Sequence, residues 1–553
     1  MLSLGGFAGA EAQVESLVAA SAADRIWKRD AAFWGGDAGR RESVANRLGW
    51  LDVAQQMRAD VGALQSFAER VRADGFRDAV VLGMGGSSLA PEVMRRSFGA
   101  RRGWPRLHVL DTTDPATIRA VLEQIDPATT LFVVSSKSGT TIEALSLFAF
   151  FHEQVRAVKP DDAGANFVAV TDAGTPLQAL AAEHGFRRVF VNPGDIGGRY
   201  SALSYFGLAP AAVVGIDVAR LLDRGIAAAA DARAADSDTL RLGAAIGALA
   251  LAGRDKATFI VSPSIGSFGL WVEQLIAEST GKEGRGILPV ADEEAASPTG
   301  YGDDRLFVRL RLGVDANGSE DAVVGSLLAA VLPVISIDLD DVYDLGREFF
   351  RWEFAVAVAG HVLGINPFDE PNVQESKDNT NRVLAEFERT GSFGAIDEVP
   401  IRDGGLRTKL AALTSSLQDG SYFAITAYVQ PTERAGEQFR RMRSAVMRGT
   451  GVATTLGYGP RYLHSTGQLH KGGPARGVFL QVTAQQGSDL SISGRSFTFG
   501  QLKRAQAIGD LQSLHSHGLP ALSVRLSEAN AEADMEYLCR VLNEAVAPAG
   551  ARR

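Results

Sequence analysis

Leu131 to Phe150 reads LFVVSSKSGTTIEALSLFAF. The apolar run 131–134 predicts a buried strand, and a long apolar helix pattern starts near Thr141. Between them stand Ser135, Ser136, Lys137, Ser138, Gly139, Thr140 and Thr141. A strand, a hydroxyl-rich turn and a helix start make an anion site. The first N–H groups of a helix have no partner within it, and its dipole is positive there. The hydroxyls add donors, Lys137 adds a charge, and Gly139 lets the backbone turn closely about a ligand. A single Ser or Thr would serve as an ordinary helix cap. Five hydroxyls in seven residues exceed that need and suit a phosphate monoester.

Outward from this stretch, apolar runs at 79–84, 107–110, 131–134, 167–170 and 189–191 alternate with helical patterns such as 115–125 and 176–184. The alternation predicts an α/β fold on a doubly wound parallel sheet, whose ligands lie beyond the C-terminal strand ends. The first run leads into Gly83-Met84-Gly85-Gly86-Ser87-Ser88, and Asp111 follows the next. The pair mimics a dinucleotide fingerprint, but Ser88 stands where its third glycine belongs. The loop therefore reads as a sugar contact. After the fifth run, Gly197-Gly198-Arg199-Tyr200-Ser201 sets an arginine behind two glycines. In a cleft Arg199 would stabilise an anionic intermediate. On a surface turn it would only be solvated.

A second α/β block spans 236–385, with a helix at 239–252 and strands at 258–261, 306–310 and 334–337. Its segment WVEQLIAESTGKEGRG holds Glu273, Glu278 and Glu283. Any of the three could serve as a proton base, and chemistry alone does not choose. Gln274 lies four residues before Glu278, on the same helix face. An apolar helix at 349–363 runs into INPFDEPNVQESKDNT, where Lys377 follows a Pro-rich turn and could reach back to a site. Residues 1–77 read as a helical segment. Residues 386–553 read as a C-terminal α/β region, with strands at 422–429, 478–482 and 521–524 and helices at 433–447, 500–515 and 531–546. This region contains RYLHSTGQLHKGG, with His464 and His470 six residues apart; His515 and His517 lie two apart. Neither spacing brings two metal ligands to one helix face, so no metal site is expected. No internal repeat is sharp.

With 553 residues, three or four domains of ~150 residues each are expected. A hydrophobic fraction of 46% suits globular domains with large cores. A net charge of −9 with no basic patch argues against nucleic acid as a partner. Cys539 is the one cysteine, which excludes an intrachain disulfide and a cysteine metal cluster. No basic region followed by an apolar run marks a signal peptide. The helix at 349–363 is too short to span a bilayer and carries Arg351, Glu353 and His361. A cytoplasmic protein without membrane partners is expected.

Five segments, VLGMGGSSLAP, VVSSKSGTTIE, GGRYSALS, QLIAESTGK and INPFDEPNVQESK, follow one another between residues 78 and 380. Together they resemble phosphoglucose isomerase. DRIWKRD, NRLGWLD and LHSTGQLHKGG look most like the isomerase half of bacterial transaldolase–phosphoglucose isomerase fusions. No transaldolase barrel fits into this chain. The resemblance implies two sugar-isomerase domains, 78–235 for phosphate and 236–385 for the base, with the site between them.

By motif position, Ser136, Lys137, Ser138 and Thr141 would hold the sugar 6-phosphate, and Gly85, Gly86 and Ser87 would line the sugar. Arg199 would stabilise the intermediate, Glu278 would be the base, Gln274 a substrate contact, and Lys377 a helper in ring opening. The implied reaction interconverts glucose 6-phosphate and fructose 6-phosphate through a cis-enediolate, without cofactor or metal, as in glycolysis and gluconeogenesis. A homodimer and a functional link to transaldolase stay open. The chain departs from the family at three points. Residues 279–360 hold no histidine, so LHSTGQ would supply the ring-opening imidazole, His464, from the same chain or a partner subunit. Glu370 replaces a Gln of the family, and Gln374 replaces a Glu. The alternatives are an isomerase of another sugar phosphate, such as mannose 6-phosphate, an NAD-dependent oxidoreductase built on the 83–88 loop, and a non-catalytic sugar-phosphate sensor.

Overall fold

The strand Thr130–Ser135 is buried along its whole length. It sits at the centre of a five-stranded parallel sheet in the order Arg106–Leu110, Asp78–Gly83, Thr130–Ser135, Phe167–Asp172, Arg188–Asn192. This computed structural model describes residues 2–4, 8–484, 487–527 and 530–546. Alternate side chains of a strand point to opposite faces. Leu131 and Val133 accordingly enter a core shared with the N-terminal helices and the second sheet. Phe132 and Val134 enter another, shared with the helices Ile142–Val158 and Phe499–Ser516. A strand covered on both faces has to be apolar throughout, which is why 131–134 is a continuous run rather than an alternating one.

The second sheet has the order Leu2–Leu4, Val334–Leu339, Arg305–Leu312, Lys256–Val261, Leu288–Val290. All of its pairings are parallel except that of Leu2–Leu4, which runs antiparallel along the edge. The third has the order Val399–Pro400, Ala521–Leu526, Gly477–Ala484, Tyr422–Tyr428, Ala453–Tyr458, all parallel.

Four strands escape the sequence reading: Leu2–Leu4, Leu288–Val290, Val399–Pro400 and Ala453–Tyr458. Three of them are two or three residues long, too short for a period to register. The fourth, ATTLGY, is diluted by threonines and a glycine. The helical reading of 1–77 thus omits a strand at its very start. The lack of a sharp repeat also hides a regularity. Numbered within its own block, each sheet runs 2-1-3-4, and the fifth place is filled differently each time. The first sheet uses its own last strand there, the second takes Leu2–Leu4, and the third takes Val399–Pro400.

The third block packs on both others. The helix Phe499–Ser516 sends Phe499, Leu502, Ala505 and Ile508 into the core behind the first sheet. Tyr422, Ala424, Leu469 and Phe479 join Leu288 and Val290 of the second. Among the described residues, no helix is long and apolar enough to cross a membrane.

Candidate active site

The helix Phe268–Thr280 carries Gln274 and Glu278 one turn apart on one face. Gln274 Nε2 donates to Glu278 Oε2 at 2.9 Å and to the His464 carbonyl oxygen at 2.9 Å. Arg199, in the tight turn Gly198–Tyr200, is 2% exposed. Its Nη1 lies 3.4 Å from Glu278 Oε1 and donates to Glu370 Oε2 at 2.9 Å. Its Nε donates to Ser279 Oγ at 2.8 Å, and its Nη2 to the carbonyls of Pro367 and Asp369 at 2.8 and 3.0 Å. The planar fork is thereby fixed in one orientation.

Burial pushes the Glu278 carboxyl above its ordinary value, against the pull of Arg199. Burial works to lower the Arg199 guanidinium, but Glu278 and Glu370 outweigh it and raise it. Lys282, which the sequence reading passed over, is buried nearby and donates to Asp369 Oδ1 at 2.8 Å. Burial, helped by Arg199, lowers its ammonium to about 8. The other two glutamates have different surroundings. Glu283 is 55% exposed and pairs with Arg40 Nη1 at 3.4 Å. Glu273 shares none of these contacts, and burial raises it to about 8.

The glycine pair after the first strand lets these groups meet. A Cβ on Gly85, whose φ is +54°, would lie 2.8 Å from Gln274 Nε2 and 2.8 Å from the His464 carbonyl oxygen. A Cβ on Gly86 would lie 1.9 Å from the Gly198 carbonyl oxygen, a backbone atom that cannot swing away. Ser87 follows them and is buried. Asp111 is committed elsewhere, to Arg461 at 2.7 and 2.8 Å and to Ser88 Oγ at 3.2 Å.

His464 closes the short turn Arg461–His464. Within this one chain its Nε2–H donates to Glu143 Oε1 at 3.0 Å. Glu143 stands in the first turn of the helix Ile142–Val158 and also accepts from Gln506 Nε2 at 2.8 Å. Burial works to raise the Glu143 carboxyl, but the adjacent His464 outweighs it and leaves the group below its ordinary value. His464, Glu143, Thr140, Thr141 and Lys377 line one pocket of about 90 Å3. Lys377 is exposed there and has no hydrogen-bond partner among the described residues. The second histidine of that motif has a plain structural role. His470 is buried against Tyr422 and Phe479, and burial lowers it to about 3.

In the hydroxyl-rich turn, Ser136 Oγ and Thr141 Oγ1 lie 2.8 Å apart, and Ser136 Oγ accepts from the Gly139 N–H at 3.1 Å. Ser138 Oγ and Thr140 Oγ1 lie 2.9 Å apart. Lys137 points away from that pocket. Its ammonium pairs with Asp172 and donates to the Gly194 carbonyl at 3.1 Å. The chain thus gathers Glu278, Gln274, Arg199, Gly85, Gly86 and His464 directly. Through Glu143 it joins them to Thr141, Ser136 and Lys377. Ser138 and Lys137 do not line that pocket, although Ser138 bonds to Thr140, which does. The residues not singled out from sequence are Glu143, Gln506, Ser279 and Lys282. Of these, only Glu143 left a trace, as an acid in a first helical turn.

A family model described as phosphoglucose isomerase matches residues 45–283. The chain is similar to a glucose-6-phosphate isomerase of Heliobacterium modesticaldum, at 31% identity over 61% of this chain and 87% of the relative. It is similar to another of Rubrobacter xylanophilus, at 30% identity over 56% of this chain and 83% of the relative. Among solved structures, a hypothetical protein of Thermus thermophilus aligns with a TM-score of 0.59 at 27% identity, over 70% of this chain and all of that one. A glucose-6-phosphate isomerase of Chlamydia trachomatis aligns with a TM-score of 0.56 at 20% identity, over 68% and 86%, a likeness of fold.

Proposed function

Because the chain belongs to the phosphoglucose isomerase family, we propose that it interconverts glucose 6-phosphate and fructose 6-phosphate through a cis-enediolate. The observation that carries this reading is the double hydrogen bond of Gln274, which ties the Glu278 carboxylate to the turn that carries His464. One six-carbon sugar would then meet both groups at once.

In this reading the 6-phosphate is held by the turn 136–141, with Ser136, Ser138 and Thr141 as donors and Lys137 as a nearby charge. Gly85, Gly86 and Ser87 line the sugar. His464 and Lys377 move protons at the ring oxygen and the anomeric hydroxyl as the ring bond breaks. The Glu143 carboxylate keeps the His464 ring oriented and its Nε2 protonated, which leaves Nδ1 to exchange protons. Glu278 then takes the proton from C2 and returns it to C1. A carboxyl raised by burial suits this work, because it is a stronger base than a solvated glutamate. The negative charge on the enediolate oxygens is met by Arg199, so the reading calls on no metal. Binding energy from the remote phosphate orients the reacting carbons.

The test is an assay of the purified protein with glucose 6-phosphate, fructose 6-phosphate and mannose 6-phosphate, with solvent hydrogen exchange at C2 followed alongside. Turnover of the glucose–fructose pair with exchange supports the reading. Turnover of mannose 6-phosphate alone would move the same chemistry to another sugar, and binding without exchange would make the chain a sensor.

A further inference from the structure

The third sheet repeats the strand order of the first, and its switch point is not idle. In sheets of this order a ligand lies beyond the C-terminal strand ends, between the first and third strands of the block. In the first sheet that place holds the loops 84–88 and 136–141. In the third sheet the corresponding strands are Tyr422–Tyr428 and Gly477–Ala484. A cavity of about 620 Å3 opens there. That size lies within the range of roughly 300–1,000 Å3 of small-molecule pockets. None of Glu278, Arg199, His464 or Lys377 lines it.

Its lining has three parts. The floor is apolar, from Val429, Ala435, Leu526 and Met535. A floor of this kind suits a flat apolar ring and leaves the hydroxyls of a bare sugar without partners. One wall is charged, with Arg119, Lys503 and Arg434 facing it alongside Asp114 and Glu532, which pair with Lys503 and Arg434. Arg119 reaches in from the helix Pro115–Leu122 of the first block, and among the described residues its guanidinium donates to Ser488 alone, to Oγ at 2.6 Å and to the carbonyl at 3.3 Å. Arg119 lines the cavity together with the start of the eighteen-residue helix Glu433–Thr450, capped by Thr432. Lys503 stands beside them, paired with Asp114 at 2.8 Å. The third part is Gln438, which is 5% exposed, lies between this cavity and a neighbouring one beside Arg441 and Ser444, and has no hydrogen-bond partner among the described residues. Its amide keeps one acceptor and two donors for whatever fills the space.

We propose that this cavity is a second ligand site, separate from the catalytic pocket, for a phosphomonoester bearing a flat heterocycle, of the nucleoside monophosphate class. The phosphate meets Arg119 and the helix start, the ring lies on Val429, Leu526 and Met535, and the Gln438 amide reads the ring edge. Each of the three features accounts for one part of such a molecule, and neither inorganic phosphate nor a hexose phosphate uses all of them. The site does not depend on which sugar the catalytic pocket takes.

The test is titration calorimetry on the full chain with adenosine monophosphate at low salt, with adenosine and inorganic phosphate as fragments. One saturable site is expected, unchanged by saturating fructose 6-phosphate. Arg119→Ala and Gln438→Leu should each weaken it about tenfold, the worth of one strong hydrogen bond to a charged or buried group. Each fragment should bind more weakly than the whole. Two results overturn the proposal. One is no saturation at millimolar adenosine monophosphate with protein whose circular dichroism is native. The other is binding that fructose 6-phosphate displaces and the two substitutions leave untouched, which would put the nucleotide in the catalytic pocket.

Discussion

The two ends of the proposed active site are built on opposite plans. Around Glu278, Arg199 is closed in and committed before any ligand arrives, with its donors divided among Glu278, Glu370, Ser279 and two carbonyls. Around Lys377 the cleft is open, and the lysine lines the pocket at the surface without a hydrogen-bond partner among the described residues. An end that must hold a charge in place gains from rigidity, because donors already oriented need not reorganise during the reaction. An end that, in the proposed mechanism, trades protons with a ring oxygen and with water gains from access. His464 stands between the two, with its carbonyl tied to Gln274 and its ring tied to Glu143.

The largest expected effect tests the rigid end. Glu278→Gln should abolish hydrogen exchange at C2 and cut turnover by about a thousandfold, with sugar-phosphate binding largely kept. Exchange that persists would move the base elsewhere. Next, His464→Ala should slow the cyclic sugar by roughly tenfold to a hundredfold and barely touch an open-chain analogue. Equal losses on both would erase the distinction between the two ends. Lys137→Ala should raise KM roughly tenfold and leave kcat nearly unchanged if its charge reaches the phosphate. An unchanged KM would mean that pairing with Asp172 is its whole role.

The smallest effect is one of pH. If Glu278 is the base it must be ionised to work, so its carboxyl, raised by burial, should put the acid limb of kcat above that of an ordinary glutamate. Burial is the first cause, Arg199 opposes it, and Glu370 adds to it as a negative neighbour. Glu370→Gln removes that neighbour, so the acid limb should move to lower pH. Movement to higher pH would show that Glu370 acts mainly by holding Arg199 in position.

Much of this was legible in the chain itself, and the gaps have physical causes. The strand Thr130–Ser135 and its neighbours could be read because a strand covered on both faces must be continuously apolar. The turns at 84–88 and 136–141 could be read because few backbones need so many glycines and hydroxyls together. Glu143 could not, because an acid in the first turn of a helix is ordinary, and its histidine partner lies 321 positions away. The direction taken by Lys137 was hidden in the same way, since Asp172 belongs to a neighbouring strand. Among Glu273, Glu278 and Glu283, composition offered no choice, and the resemblance pointed to Glu278. The geometry adds its company, Gln274 and Arg199. The shared strand order of the three sheets was invisible because order is a property of pairing, and two of the sheets complete themselves with strands too short to notice.

The helix Phe499–Ser516 carries Lys503, Gln506 and Asp510 at intervals of about one turn, all buried. Lys503 grips Asp114, Gln506 grips Thr113 and Glu143, and Asp510 grips Tyr462 and Lys471. One rod thereby links the start of the helix Pro115–Leu122 to the turn that carries His464. A gene trimmed back to its first two sheets would lose the histidine and also the amide that seats its carboxylate. The last block therefore cannot be swapped as a cassette, and an exchange between relatives would have to carry the rod and its sockets together.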